Sequence, residues 1–180
     1  MKKSLLFLLC FLTLALSSCK KDDDNGGTNP PAATDPIVGT WVSQGANVAL
    51  GLRVAPFKVV KIVATFNENK TYTVVQTDSA NVQTTFTGTY TNAESNATDT
   101  LSTTGTKGAK IYTITANQAT PSAVTAQGIY AISSGNMTYE VIQTTPPLTG
   151  VNAPTAAGGF GSTTIAGTKY PIYIQKYVKQ

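Results

Sequence analysis

The chain has 180 residues, a formal net charge of +4 and no histidine. The lack of histidine removes the commonest general base and metal ligand, and the scattered lysines form no basic stripe of the kind that binds nucleic acid. We therefore expect a non-enzymatic protein with no catalytic residues, no metal, no cofactor and no nucleic-acid partner.

Residues 1–18 have the organisation of a secretory signal. Lys2 and Lys3 precede an almost wholly apolar run from Leu5 to Leu16. As a helix this run rises only about 18 Å, which is too short for a hydrocarbon core of about 30 Å. The pattern therefore predicts a cleaved signal peptide rather than a membrane span.

The signal ends in LSSC, residues 16–19, which resembles the lipobox of bacterial lipoproteins. The resemblance implies cleavage before Cys19 and attachment of lipid to its thiol, so that Cys19 holds the protein on a membrane. The alternative is an ordinary secretory signal with an incidental cysteine. Cleavage also removes Cys10, Lys2 and Lys3, so the formal charge falls from +4 by two to +2, and no free thiol remains for a disulfide.

A charged cluster follows the cysteine directly: Lys21, Asp22, Asp23 and Asp24. It resembles the export signal of Bacteroidota surface lipoproteins, which implies an outer-membrane protein exposed at the cell surface. The alternative is a solvated cluster within a tether. The rest of residues 19–36 is rich in Gly, Asn, Pro and Thr, which predicts a flexible lipidated linker.

Residues 37–180 are predicted to form one all-β domain. Apolar and polar residues alternate with a period of two, which is typical of strands in an antiparallel sheet with one wet face. This alternation occurs in KVVKIVATF, TYTVVQT, NVQTTFTGTYT, IYTITA, AVTAQGIYAI, MTYEVIQT and PIYIQKYV. Such strands hide their edges by closing into a barrel of about eight strands or by stacking as a β-sandwich.

Gly39 and Trp41 form a Gly-x-Trp motif at the first predicted strand. This motif resembles the signature of the lipocalins, and the resemblance extends over most of residues 37–144. It implies an up-and-down barrel closed at one end by Trp41, with a basic residue near the C-terminus packed on the indole, for which Lys176 is the candidate. The alternative is a tryptophan in the core of a sandwich.

The last strand is expected beside Trp41 and to carry Ile172 and Ile174. Before it, residues 145–168 form a long segment rich in Pro, Gly and Ala. Residues 158–162 superficially resemble a phosphate loop but lack the lysine, which predicts an irregular loop.

The resemblance implies two alternatives for the barrel interior. It either holds a small apolar or amphipathic ligand or is filled by its own side chains, because eight strands leave room for only one of these. A filled barrel would suit a surface adhesion module that binds glycans or proteins. The candidate lining residues are Tyr72, Phe86, Tyr90, Tyr112, Tyr130 and Tyr139.

The carboxylates of the domain give no catalytic pair. Glu68, Asp78, Glu94 and Asp99 lie in or beside turn-like sequence, where we expect solvated charges, and Glu140 lies on the strand face opposite Tyr139, where we expect it to face water.

Two turn-like triplets, DSA and DTL, resemble the acceptor of Bacteroidota O-glycosylation. The resemblance implies glycans on Ser79 and Thr100. The alternative is a chance occurrence, because short motifs arise easily in a threonine-rich chain.

The lipobox interpretation predicts that Cys19→Ala abolishes lipidation. Each buried methylene contributes about 0.8 kcal/mol to membrane binding, so the variant is expected to remain uncleaved or to be released from membranes. Metabolic labelling with a fatty acid and fractionation of cells measure this. A Cys19→Ala protein that is processed and membrane-bound like the parent would disprove the interpretation.

Overall fold

The computed structural model describes residues 35–101 and 103–180. Its eleven strands are β1 (Gly39–Gln44), β2 (Val59–Phe66), β3 (Thr71–Asp78), β4 (Gln83–Thr98), β5 (Lys110–Thr120), β6 (Val124–Ser133), β7 (Asn136–Thr145), β8 (Val151–Asn152), β9 (Thr164–Ile165), β10 (Thr168–Lys169) and β11 (Gln175–Lys179). One short helix, α1 (Leu50–Arg53), and two 3-10 turns, Gly45–Asn47 and Pro171–Tyr173, complete the described elements.

Eight of the strands close into an antiparallel barrel. Strands β1 to β7 pair with their neighbours in sequence, and β11 joins β7 back to β1. The predicted up-and-down barrel is therefore confirmed, and the sandwich alternative is wrong because the sheet is continuous around the barrel.

The period-two pattern places the apolar side chains inside. In β2, Ile62, Ala64 and Phe66 are buried within the barrel, whereas Val63 and Thr65 between them are only partly buried. Each large apolar side chain that is withdrawn from water contributes about 1.5–3 kcal/mol. The alternation read from the sequence is thus the direct cause of the inward-facing core.

Two glycines are required where neighbouring strands approach closely. A Cβ atom on Gly88 of β4 would lie 2.1 Å from the carbonyl oxygen of Asn117 in β5. One on Gly128 of β6 would lie 2.0 Å from the carbonyl oxygen of Glu140 in β7. Glycine inside a strand commonly marks such a bend in a barrel wall.

Trp41 is buried at the end of the barrel where β1 begins, which we call the floor and which is formed by Trp41, Phe66, Tyr90 and Tyr130. The indole Nε1–H donates a hydrogen bond to the carbonyl of Ile37 at 2.7 Å. Phe66 and Tyr90 meet edge to face, with ring centroids 5.2 Å apart.

The basic residue on the tryptophan is Lys179, not Lys176. The Lys179 ammonium lies 5.2 Å from the centroid of the Trp41 ring, and the two residues are register partners between β1 and β11. Lys176 is exposed, because inward and outward positions alternate along β11.

The last strand is also shorter than expected. Ile172 lies in the 3-10 turn that begins at Pro171, and Ile174 caps that turn, so β11 begins only at Gln175. The Ile174 N–H donates to the Pro171 carbonyl at 3.3 Å, so residues 171–174 form a turn and the strand begins after it.

The segment before β11 covers the outer wall of the barrel. Its short strands β8, β9 and β10 form a separate three-stranded sheet. Phe160 of this segment is buried against Ile111, Ile129 and Ala131, which project outward from β5 and β6. The long segment thus creates a second, smaller apolar core outside the barrel.

Glu140 fastens this segment and does not face water as expected. Its side chain is fully buried and accepts hydrogen bonds from the Gly161 N–H at 2.6 Å, the Thr163 N–H at 3.3 Å and the Thr163 hydroxyl at 2.6 Å. These donors compensate for the burial of a carboxylate. The expectation failed because period-two alternation identifies the outer face but not what covers it.

Asp99 is likewise buried rather than solvated. Its carboxylate accepts hydrogen bonds from the Leu101 N–H, the Thr103 hydroxyl and the Thr104 N–H at 2.8–3.1 Å. Aspartate commonly organises the backbone that follows it in this way. Of the other three carboxylates expected in turns, Glu68 and Glu94 are exposed and Asp78 is half-buried.

Replacing Trp41 with alanine is expected to destabilise the barrel by roughly 3–5 kcal/mol, because a large cavity would remain in the floor. Chemical denaturation followed by circular dichroism measures the free energy of unfolding. Phe57→Ala is the control, since Phe57 is 56% exposed and its truncation should change stability by less than about 0.5 kcal/mol. Equal effects of the two substitutions would contradict a structural role for Trp41.

Candidate functional site

The barrel contains a cavity of about 240 Å³ in the half away from Trp41. It reaches the opposite end of the barrel, which we call the mouth and which is formed by Ala49, Leu52, Gln118 and Tyr173. The cavity is lined by apolar, aromatic and amide side chains, namely Ala49, Leu52, Ile62, Phe66, Tyr72, Val74, Gln76, Phe86, Ala116, Gln118, Ala126, Tyr139, Val141, Tyr173, Gln175 and Tyr177.

The structure separates the six candidate lining residues into two groups. Tyr72, Phe86 and Tyr139 border the cavity. Tyr90 and Tyr130 are almost completely buried in the floor.

Tyr112, the sixth candidate, stacks on the Tyr130 ring with centroids 5.0 Å apart. It does not border the cavity. Tyr90, Tyr112 and Tyr130 therefore contribute to packing at the floor. Tyr72, Phe86 and Tyr139 face the cavity.

Sequence reasoning did not select the lining residues near the C-terminus. Gln175 and Tyr177 alternate inward on β11, and Tyr173 precedes them in the 3-10 turn. The period-two alternation of the last predicted strand places Gln175 and Tyr177 on the same face as each other, and this could have identified them as inward-facing. Ala49 and Leu52 come from the irregular segment after β1, where no such pattern exists.

The mouth is narrowed by α1 and the second 3-10 turn. Gly51 packs so closely on Tyr173 that an added Cβ would lie 3.4 Å from the tyrosine ring. The Gln175 side-chain oxygen accepts a hydrogen bond from the Ala49 N–H at 3.3 Å. The segment after β1 is therefore held against β11 and the turn that precedes it.

Burial keeps three of the tyrosines that border the cavity neutral: Tyr72, Tyr139 and Tyr177. Desolvation by burial raises the pKa of Tyr72 above its usual value. Burial and the neighbouring Tyr177 phenol raise the pKa of Tyr139, and burial alone raises that of Tyr177. Their hydroxyl groups therefore act as hydrogen-bond donors and acceptors rather than as charges.

The floor carries a polar network that binds the start of the domain. The Lys70 ammonium lies 2.6 Å from the Asp35 carboxylate and donates to the Asn92 carbonyl oxygen at 2.9 Å. The Asn92 amide donates to Asp35 at 2.9 Å and to the Tyr130 hydroxyl at 2.6 Å. Residues around Asp35 are thereby fixed across the floor.

This network sets the ionisation of Asp35. Burial alone would raise the pKa of the carboxyl group, but the hydrogen bonds from Lys70, Asn92 and the Ile37 N–H, together with the Lys70 charge, hold the pKa below its ordinary value. Burial and the Asp35 charge also raise the pKa of Tyr90 to about 12.

The remaining candidate residues lie away from the cavity. Ser79 and Thr100 are exposed in turns. Cys19, Lys21 and residues 22–24 lie outside the described residues. Within residues 35–101 and 103–180 no three acidic, histidine or cysteine side chains converge on one point, and no described helix has the length and apolarity to cross a bilayer.

Comparison of the chain with protein-family models, curated proteins and solved structures found no match. The fold and the site define an eight-stranded antiparallel barrel protein with an apolar internal cavity. Its function is therefore inferred from the chemistry of that cavity.

The floor network predicts a specific pH dependence. Because the folded pKa of Asp35 is lowered, its stabilising contribution is complete above the unfolded pKa of about 3.9 and is lost as the pH falls through the folded pKa. Asp35→Asn should therefore lower stability at pH 7, by roughly 0.2–1 kcal/mol, and should lose less stability than the parent between pH 7 and pH 3. Urea denaturation at both pH values measures this.

Glu68→Gln provides the matched control, because Glu68 is an exposed carboxylate in the turn beside Lys70. It should reproduce the acid sensitivity of the parent. If Asp35→Asn and the parent lose stability equally on acidification, the ion pair with Lys70 does not stabilise the floor.

Proposed function

We propose that the protein is a lipid-anchored binding protein of the bacterial cell envelope whose barrel holds one small apolar or amphipathic ligand. The observation that carries this proposal is the cavity of about 240 Å³ with a mainly apolar and aromatic lining. Ligand pockets typically range from about 300 to 1,000 Å³. The cavity is somewhat smaller than this range, so the proposed ligand is small.

The position of Asp35 supports a mouth that is accessible in the anchored protein. The predicted linker, residues 19–36, precedes β1, and its residue Asp35 is bound to the floor by Lys70 and Asn92. The mouth lies at the other end of the barrel from this attachment point. We propose an outer-membrane, surface-exposed location on the basis of Cys19 and residues 21–24.

The lining favours binding over catalysis. It contains tyrosines and amides but no carboxylate and no lysine or arginine. General acid–base chemistry requires a group that exchanges protons near the working pH, and burial raises the pKa of Tyr72, Tyr139 and Tyr177 still further above that range. A non-enzymatic carrier is consistent with these groups.

A surface-binding module is the second candidate. Leu50, Val54 and Phe57 are 48%, 50% and 56% exposed in and after α1, and Val82 is 60% exposed in the turn before β4. Exposed apolar groups of this kind mark some interaction surfaces. This module would bind glycans or proteins through its loops and would need no internal ligand.

Native mass spectrometry of protein purified from its own cells tests the carrier. A small molecule bound in a 1:1 ratio is expected in the parent. Ala126→Phe should abolish it, because Ala126 lines the cavity and a phenyl ring would occupy the space. Ala119→Phe is the control, since Ala119 is exposed on β5.

A parent protein with no bound molecule, together with binding on a glycan array, would reject the carrier in favour of the surface module. Circular dichroism of each variant establishes whether loss of the ligand reflects occupation of the cavity or loss of the fold.

A further inference from the structure

Exposed apolar side chains are grouped beside the mouth of the barrel. Leu50, Val54 and Phe57 are exposed in and after α1, and Val82 is exposed in the turn before β4. Single exposed apolar residues are normal on a protein surface, whereas a group of them at one place marks an interaction surface. We call this surface the rim, and it is formed by Leu50, Arg53, Val54, Phe57, Lys58 and Val82.

The two loops of the rim are joined to each other and to the cavity wall. The Lys58 carbonyl accepts a hydrogen bond from the Ser79 N–H at 3.0 Å, which fixes the loop after α1 against the turn between β3 and β4. Leu52 of α1 borders the cavity, whereas Leu50 of the same helix is exposed. One short element therefore carries both a cavity-lining residue and a rim residue.

The rim is cationic. Arg53 and Lys58 are exposed and form no ion pair with any residue of 35–101 or 103–180. Asp78, which lies at the same end of the barrel, accepts hydrogen bonds from the backbone of its own turn. The positive charges of the rim are therefore available to an anionic partner.

The floor end of the barrel differs in this respect. There, the Lys70 ammonium lies 2.6 Å from the Asp35 carboxylate and the Lys110 ammonium lies 3.1 Å from the Glu94 carboxylate. Positive charges at the floor are thus partly neutralised by ion pairs, whereas those of the rim are unpaired among the described residues. The combination of apolar groups with unpaired cations distinguishes the mouth end.

This combination fits a lipid surface. Surface segments that bind bilayers bury apolar side chains at the boundary between headgroups and acyl chains, while lysine and arginine interact with anionic headgroups. Arg53 and Lys58 flank Val54 and Phe57 in the sequence, so one loop supplies both kinds of contact. The aliphatic stems of the two cationic side chains allow their charged groups to remain among the headgroups.

We propose that the rim docks on an anionic lipid surface, with Val54 and Phe57 inserted among the headgroups and with Arg53 and Lys58 bound to headgroup phosphates. This interaction surface goes beyond the carrier function, and it does not require a ligand in the cavity. It places the mouth of the barrel at the bilayer.

The proposed anchor at Cys19 is compatible with this orientation. The 16 residues of the segment 19–34 span at most roughly 55 Å. The barrel strand β2 has 8 residues and is about 27 Å long. A chain of that reach allows the mouth to contact the bilayer that holds the anchor.

Quenching of tryptophan fluorescence by brominated phospholipids tests the docking. Protein purified from its own cells is incorporated into vesicles of phosphatidylglycerol and phosphatidylcholine in equal amounts. Phe57→Trp places a reporter in the rim, and Leu101→Trp is the matched control, because Leu101 is 68% exposed at the floor end. Trp41 is the one tryptophan of the chain and gives the background in the parent. The reporter at position 57 should be quenched at least twofold more than the reporter at position 101.

A variant that combines Arg53→Gln with Lys58→Gln tests the contribution of charge. It should lower the quenching of the reporter at position 57 at least twofold, and high salt should do the same in the parent charge background, because salt screens exposed charges. Lys107→Gln combined with Lys176→Gln is the control, since both lysines are exposed away from the rim and the same net charge is removed. This control should leave the quenching unchanged.

The contrary outcomes are distinct. Equal quenching at positions 57 and 101 would overturn the inference and would favour a protein or glycan as the partner of the rim. Equal quenching at position 57 in vesicles of phosphatidylcholine alone would reject an anionic surface as the partner. Circular dichroism establishes the fold of each variant, and if the variant that lacks Arg53 and Lys58 does not fold, the salt dependence of the quenching decides.

Discussion

Closure of the barrel between β1 and β11 is the constraint on which the rest of the structure depends. This contact is short, with Trp41 opposite Lys179 and Val42 opposite Val178. It joins the first and last strands of the domain, so the enclosed space exists only when both are in place. Because Trp41 and Lys179 are also in cation–π contact, this pair contributes both to closing the sheet and to packing the floor.

The long segment before β11 connects the outside of the barrel with its inside. Its backbone amides at Gly161 and Thr163 donate hydrogen bonds to the buried Glu140 side chain, so the irregular loop is fixed to the outer face of β7. The same segment leads into Tyr173 and Gln175, which line the cavity. Packing on the outer wall thus positions side chains of the cavity wall.

The sequence was sufficient to predict the barrel but only part of the site. Period-two alternation and the Gly-x-Trp motif depend on local patterns, and the closed eight-stranded sheet followed from them. The burial of Glu140 depends on a segment that covers β7 from a distance in sequence, which no local pattern reveals. The hydrogen bond from the Ala49 N–H to the Gln175 side chain joins two segments that are distant in sequence, and this contact forms only in three dimensions.

The two halves of the barrel interior differ in how their polar groups are satisfied. In the floor, Asp35, Asn92 and Tyr130 are joined in one network with Lys70, and the indole of Trp41 has its own acceptor. A network satisfied in this way stabilises a single arrangement and leaves no group for a ligand. The other half instead contains open space bordered by Tyr72, Tyr139 and Gln175. The floor is therefore structural, and the half of the barrel below the mouth contains the cavity.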